Sequence, residues 1–526
     1  MNLDRRDCLG WMGAAAISPL LGCQPATRAV TGRFVGLDPA RGHQLLAAPS
    51  LGATEQRRAD VLVLGAGVAG LAAARALASN GVENLAVLEL EGRPGGNARG
   101  GQIQGLPCPL GAHYLPVPGA AAPELQQWLQ EVGLRKREAG RWVYDERHLC
   151  HSPQDRLYFN GEWQDGLLPM QGTGPATLAQ YRRFSALVEQ ERQSGRYAMP
   201  TVRLPDHPET RALQQRSMAQ WLDAQGLSDP HLRWYLNYAC RDDYGAGLER
   251  VSAWAGLHYF AGRNGFFAPG DGPGDAEPIL TWPEGNDWLT QRLSAHLGDR
   301  LHTGQLVRKV SESKQAWTVD VVDLKRGAPV QWQARCVVMA LPAFVAARVM
   351  DAAPDALRRL AAQTAYAPWV VVNLHLSGEL RDKAGAAPSW DNVLYGGRGL
   401  GYVDAGHQSL DPRRSARVLS WYLPLGDGGD GARKEVRDQP WEHWHGMAMK
   451  ELSGPHPDLA DTLTEVAVSR FGHGMAIPTV GLSPPAPPNT PRMAFAHSDW
   501  AGYSVFEEAF TRGHLAGEFI AQRWRS

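Results

Sequence analysis

The first clear run of apolar positions is Val61-Leu62-Val63-Leu64, which predicts a buried strand. A glycine-rich turn follows, and then an alanine-rich stretch from Leu71 to Arg75 that predicts a helix. Leu85-Ala86-Val87-Leu88 predicts a second strand, ending at Glu89. Residues 123–132 predict a helix with Pro123 near its start and Gly133 at its end. From 140 to 275, Trp, Tyr and Pro recur at irregular spacing between helical runs; one of these, 220–239, is broken at Asp229-Pro230. Residues 288–297 predict a helix, and strands are expected around 306–310, 317–322, 336–341, 369–376 and 417–422. An amphipathic helix begins near Val505. The fold class is α/β.

The turn after the first strand reads Gly65-Ala66-Gly67-Val68-Ala69-Gly70, a G-x-G-x-x-G between a strand and a helix. In that context Gly65 permits the tight turn, Gly67 lets backbone approach a pyrophosphate, and Gly70 lets the helix pack closely. Glu89 follows about 20 residues later, at the end of the next strand, where an acid meets a ribose hydroxyl. Ala69 lies within the same phosphate turn. A plain βαβ packing turn is the alternative.

Further segments indicate which dinucleotide. Gly95-Gly96-Asn97-Ala98-Arg99 and Leu110-Gly111-Ala112-His113-Tyr114 resemble the second glycine pair and the "LGA" segment of the flavin amine oxidase and phytoene desaturase superfamily. The family usually has arginine directly after the glycine pair; here Asn97 stands there and Arg99 two residues later. Thr281-Trp282-Pro283-Glu284-Gly285-Asn286 resembles the segment that reopens the cofactor domain, and Val307 lies on the strand that meets adenine through its backbone. Ala496-His497-Ser498-Asp499-Trp500 and the helix after it resemble the closing block. The resemblance implies FAD, with Asp499 on the ribityl chain and backbone N–H groups near Val505 and Phe506 at the flavin's pyrimidine end. It also implies Gly95, Gly96, Gly111, Ala112 and His113 around the pyrophosphate and flavin ring. With no cysteine near the closing block, the flavin is expected to be non-covalent.

The implied architecture is a discontinuous Rossmann-type FAD-binding domain (57–115, 276–343 and 466–526) with an inserted α+β substrate domain (116–275 and 344–465). An export leader (1–23) and a tether (24–56) precede it. In the leader, Arg5-Arg6 before an apolar run resembles a Tat signal, and Leu20-Leu21-Gly22-Cys23 resembles a lipobox. The expectation is a periplasmic, membrane-anchored lipoprotein, lipidated at Cys23. The 526 residues exceed one compact domain, and the net charge of −1 gives no support to nucleic-acid binding. No CxxC pair is present, and Trp441-Glu442-His443-Trp444-His445 is a weak metal candidate, so no metal site is expected. Disulfide connectivity and oligomeric state are not legible.

The implied reaction is hydride transfer to flavin from an amine, which could be a polyamine, with oxygen or a quinone as acceptor. Two alternatives stand beside it: desaturation of a polyene or other apolar lipid, and a non-catalytic protein that FAD only stabilises. Acidic and aromatic pocket walls would favour amines; a long apolar tunnel would favour lipids. Asp242 and Asp243, beside aromatic residues, could hold a cationic ligand, or could cap a helix or pair with Arg241 and Arg250. Trp500 and Tyr503 are expected to flank the substrate, because Val505 stands at the position of the family's cage tyrosine. Many amine oxidases hold a lysine beneath the flavin; the corresponding run 369–374 contains none, so slow turnover with oxygen is expected.

Overall fold

The run from Val61 to Leu64 is fully buried because its strand, Glu55–Leu64, lies between two parallel neighbours, Leu85–Glu89 and Ala328–Met339. A central parallel strand is covered on both faces, which is why it reads as an unbroken apolar run. Leu301–Thr303 extends this seven-stranded sheet on one side, and Trp317–Asp323 and Gln305–Glu312 extend it on the other. Met493–Phe495 joins alongside Ala328–Met339. The computed structural model describes residues 30–47, 55–270, 278–409 and 416–525. Arg5, Arg6 and Cys23, on which the leader reading rests, lie outside the described residues. Among those described, no helix is long and apolar enough to cross a membrane.

A second, eight-stranded sheet runs in the order Thr31–Val35, Leu463–Ile477, Ala365–Leu376, Arg417–Pro424, Tyr402–Asp404, Asp391–Leu394, Asp155–Phe159 and Glu162–Asp165. Its Ala365–Leu376 strand alternates cleanly. Ala367, Trp369 and Val371 face a core shared with helices Pro175–Gln193, Pro230–Tyr244 and Ala253–Ala261, while Val370, Val372 and Leu374 face the opposite core. Helix Pro230–Tyr244 starts at the Asp229-Pro230 break, with Asp229 accepting from the His231 and Leu232 N–H groups.

The tether reading of 24–56 is corrected for the residues described. Thr31–Val35 pairs in parallel with Leu463–Ile477, and Pro39–His43 forms a short helix capped by Asp38. Five residues are too few to show alternation. This strand forms because the edge of a strand more than 430 residues away offers unpaired backbone groups.

The closing helix Phe506–Ala521 runs side by side, in the same direction, with the helix of the glycine turn, Val68–Ser79. A Cβ on Gly513 would overlap the Ala69 carbonyl oxygen, and one on Gly517 would crowd the Ala73 carbonyl and lie 2.8 Å from the Ala76 Cβ. Gly513→Ala should therefore destabilise the fold by about 1–3 kcal/mol through overpacking. An earlier urea transition of FAD-free protein checks this; a wild-type transition would mean that the helices separate without strain.

Candidate functional site

Gly65 has φ +98°, in the left-handed region, and an added Cβ would lie 2.8 Å from the Ala340 carbonyl oxygen. A Cβ on Gly70 would overlap the Gly65 carbonyl oxygen, so this glycine allows the helix to start directly over the turn. Gly67 differs from both. It is extended, and the nearest atom to an added Cβ is the Gly96 Cα, 4.0 Å away. The two glycine loops are joined by the Gly95 N–H, which donates to the Ala66 carbonyl at 2.8 Å. Gly95 and Gly96 both have positive φ, at +119° and +56°. Together they leave a bare backbone cleft at the N-terminus of Val68–Ser79, the shape and polarity that suit a pyrophosphate.

Glu89 ends its strand buried, accepting from the Ala66 N–H and the Glu91 N–H at 2.8 Å each. Burial raises its pKa. Each oxygen retains a lone pair, which a ribose diol would fill. Arg99 is 5% exposed, its Nη1 3.8 Å from the Glu91 carboxylate and its Nη2 without a partner. An orphaned buried guanidinium nitrogen beside the glycine cleft suits an anionic cofactor. Asn97 is turned elsewhere, its side-chain amide donating to the Gly474 carbonyl at 2.6 Å. Val307 stands at a register irregularity in Gln305–Glu312.

At the other end, the closing helix begins at Phe506 with Val505 as its N-cap and no side-chain cap. Its first-turn N–H groups have no intrahelical acceptor, as at any helix start. Phe506 itself packs on Trp128 and Phe510. Asp499 is buried, and its Oδ2 accepts from the Ala343 N–H at 2.8 Å and from the Tyr366 hydroxyl at 2.5 Å. It fastens the closing block to the crossover after Ala328–Met339, with Oδ1 3.2 Å from His497.

The segment Leu110 to Tyr114 leads from this cleft to a cavity of about 470 Å³. It is held in place by Asn286, whose N–H donates to the Ala112 carbonyl and whose amide donates to the Tyr114 carbonyl. A Cβ on Gly111 would overlap the Asn97 carbonyl oxygen. His113 stacks on Tyr422 with ring centroids 4.3 Å apart, and lies 5.5 Å from Trp390. Burial drives the His113 pKa down to about 3, so its ring is neutral.

Carboxylates line the same cavity: Asp242, Asp391, Asp155 and Asp165. The Tyr114 hydroxyl donates to Asp242 at 3.2 Å, and the Tyr238 hydroxyl donates to Asp391 at 3.3 Å. Burial, then the neighbouring Asp243, pushes Asp242 up to about 7. Burial, then Asp242 and Asp155, raises Asp391 well above the usual range. Asp155 rises to about 6 through burial and Asp165. Arg263, also in the wall, is paired with Asp243 at 3.1 Å. The aspartate pair therefore divides: Asp242 faces the cavity, and Asp243 is a buried partner of Arg263.

Neither Trp500 nor Tyr503 lines this cavity, which corrects the expected aromatic flank. Trp500 packs edge-on against Phe495 at 5.5 Å, on the nucleotide side. Gly502, left-handed at φ +79°, then reverses the chain and sends Tyr503 into the helical core, its hydroxyl donating to Glu508 at 2.7 Å. Tyr422, Trp390, Asp391 and Asp155 had no assigned role in the sequence reading. An acid beside a tryptophan at the start of an otherwise buried strand, Asp391–Leu394, was the available signal. On the face of Ala365–Leu376 that packs on the helical core, Trp369 and Val371 stand in the run where a lysine was looked for. The four described cysteines, Cys108, Cys150, Cys240 and Cys336, are unpaired. His443 faces Glu435 at 3.3 Å, and no cluster of three ligating side chains occurs among the described residues.

Solved structures of the same fold include wild-type putrescine oxidase bound to putrescine, 18% identical with a TM-score of 0.65, covering 89% of this chain and all of that one. Cyclohexylamine oxidase from Brevibacterium oxydans is 16% identical with a TM-score of 0.64, over the same shares. Residues 68–521 match the family of flavin containing amine oxidoreductases. A bare glycine cleft whose shape suits a pyrophosphate agrees with a family match over most of the chain: this protein belongs to the flavin-containing amine oxidoreductase family and is an FAD-dependent oxidoreductase.

Proposed function

We propose that the protein oxidises a primary aliphatic amine that carries a further ammonium group, a linear diamine or polyamine, to the corresponding imine, which water then hydrolyses. The observation that carries this reading is the line of carboxylates in an aromatic-walled cavity: Asp242, Asp391, Asp155 and Asp165, with Arg263 already committed to Asp243. Like charges gathered out of bulk water hold protons, and a bound cation relieves their repulsion. His113, Tyr114, Trp390 and Tyr422 supply ring faces for an ammonium and for the alkyl chain between two of them.

Bound non-covalently, FAD supplies the hydride acceptor, and oxygen or a quinone-type molecule takes the electrons onward. The chain's own groups do the rest. Asp242, poised near neutrality, orients the reacting nitrogen and accepts the proton that an ammonium must lose before hydride departs. Asp391 and Asp155 hold the distal ammonium. Gly67, Gly95 and Gly96, on the turn that Gly65 and Gly70 permit, would hold the pyrophosphate. The Tat-exported, Cys23-lipidated form in the periplasm belongs to the same proposal and rests on the leader motifs. Desaturation of an apolar lipid fits the cavity poorly, because it would leave several buried carboxylates facing hydrocarbon.

Four outcomes test this reading. Gly67→Val should purify folded but without yellow colour, because only the cofactor's space is filled; retention of FAD by this variant would remove the pyrophosphate assignment. Anaerobic addition of 1,4-diaminobutane should bleach the flavin. Asp391→Asn should raise the KM for that diamine about tenfold or more while changing that for 1-aminobutane much less, in keeping with the loss of one buried charge partner. Equal effects on both amines would mean that no distal ammonium is bound. Asp242 gains its charge as pH rises through about 7. Diamine KM should therefore fall from pH 6 to pH 8, and this dependence should be absent in Asp242→Asn.

A further inference from the structure

The short helix Pro39–His43 and the turn after it cross from the second sheet to the nucleotide-binding sheet. They are fastened at two places. The Asp38 N–H donates to the Glu91 carboxylate at 3.2 Å, and Arg41 Nη1 reaches its other oxygen, also at 3.2 Å. Arg308 donates to the carbonyls of Gln44 and Ala47, at 2.6 and 2.7 Å. Leu45 packs on the apolar face that contains Leu64, Leu88 and Val307.

Both fastenings adjoin the expected adenosine site. The Glu91 N–H donates to Glu89, the candidate ribose acid, and the Glu91 carboxylate stands between Arg41 and the buried Arg99. Arg308 is next in sequence to Val307, the candidate adenine contact. Upstream, Thr31–Val35 anchors the segment in the second sheet, with Arg470 stacked on Phe34 at 4.0 Å and Gly32 lying against the Trp441 ring. The segment thus ties the second sheet to the two residues that flank the adenosine contacts.

We infer that residues 38–47 form a strap that retains the adenosine half of FAD, with Arg41 and Arg308 as positioning residues. Arg41 neutralises Glu91 on its outer side, so that Arg99 and the backbone of the 89–92 turn keep Glu89 directed at the ribose. Arg308 holds the strap over the strand that carries Val307. Release of FAD then requires the strap to loosen. This inference rests on the assignment of Glu89 and Val307 to the adenosine half.

The test uses FAD-loaded protein with an excess apoflavoprotein that traps released FAD, and follows the flavin-dependent activity that the trap regains. Arg41→Ala combined with Arg308→Ala should release FAD about tenfold faster than the parent chain. Arg492→Ala, which removes an arginine about as exposed as Arg41 from its pair with the exposed Glu312, should release it at the parent rate. Equal rates in all three proteins, or equal acceleration by both changes, would overturn the strap. Hydrogen exchange of the unaltered chain gives a second readout that does not depend on the variants folding: amides of 38–46 should exchange more slowly with FAD bound, and equal exchange in both forms would also overturn the inference. A parent chain that binds no FAD would instead overturn the cofactor-site assignment on which the strap depends.

Discussion

Two helices lie side by side with their N-termini towards the same end, and most of the cofactor site depends on that arrangement. Parallel helix dipoles repel, and the repulsion grows as the axes approach. Here the approach is as close as backbone allows, because Gly513 and Gly517 present no side chain to Ala69 and Ala73. A doubly charged pyrophosphate at the Gly67–Gly96 cleft and the partial negative charge of reduced flavin near Phe506 would each offset part of that cost. Gly513 and Gly517 permit the packing, while Gly67, Gly95 and Gly96 leave backbone uncovered at the helix start, where an anion would sit.

The cavity is the electrical opposite of the cleft. Burial, and then neighbouring carboxylates, raise Asp242, Asp391 and Asp155 above the usual range, so these three hold protons more readily than free carboxylates do. A cationic substrate would exchange those protons for its own charge. His113, between the two regions, stays neutral and adds no positive charge to either.

Three hydrogen bonds set the relation between the halves. Asn97 donates to Gly474, Asn373 donates to the Pro109 carbonyl at 2.9 Å, and the Tyr422 hydroxyl donates to the Gly111 carbonyl at 3.2 Å. Each joins a residue between Asn97 and Gly111 to a strand of the second sheet. Tyr422 in particular stacks on His113 and also bonds the segment that carries it, so cavity wall and cofactor segment are held by one side chain.

The strand, glycine turn and helix start were legible in the sequence because their determinants are local. A strand, three glycines and a helix start lie within about ten residues, and the acid of Glu89 sits at the end of the next strand. Backbone geometry of that kind is dictated by residue type, and Gly65 and Gly70 are glycines for the steric reasons their spacing suggests. The substrate cavity was legible only in part. Asp242 was singled out, but its neighbour Asp243 points away because successive residues on a helix lie about 100° apart and Arg263 takes one of them. Asp155, Asp391, Trp390 and Tyr422 come from distant segments and meet only when the second sheet forms; no spacing in the chain links them. Trp500 and Tyr503 looked exposed to the substrate by position, yet one left-handed glycine turned them into separate cores. The N-terminal strand gave no signal, since five residues acquire their conformation from an edge more than 430 residues away. The sequence by itself determined the local glycine turns; only the tertiary structure decided which charges share a cavity, because burial and mutual distance are properties of the packed chain.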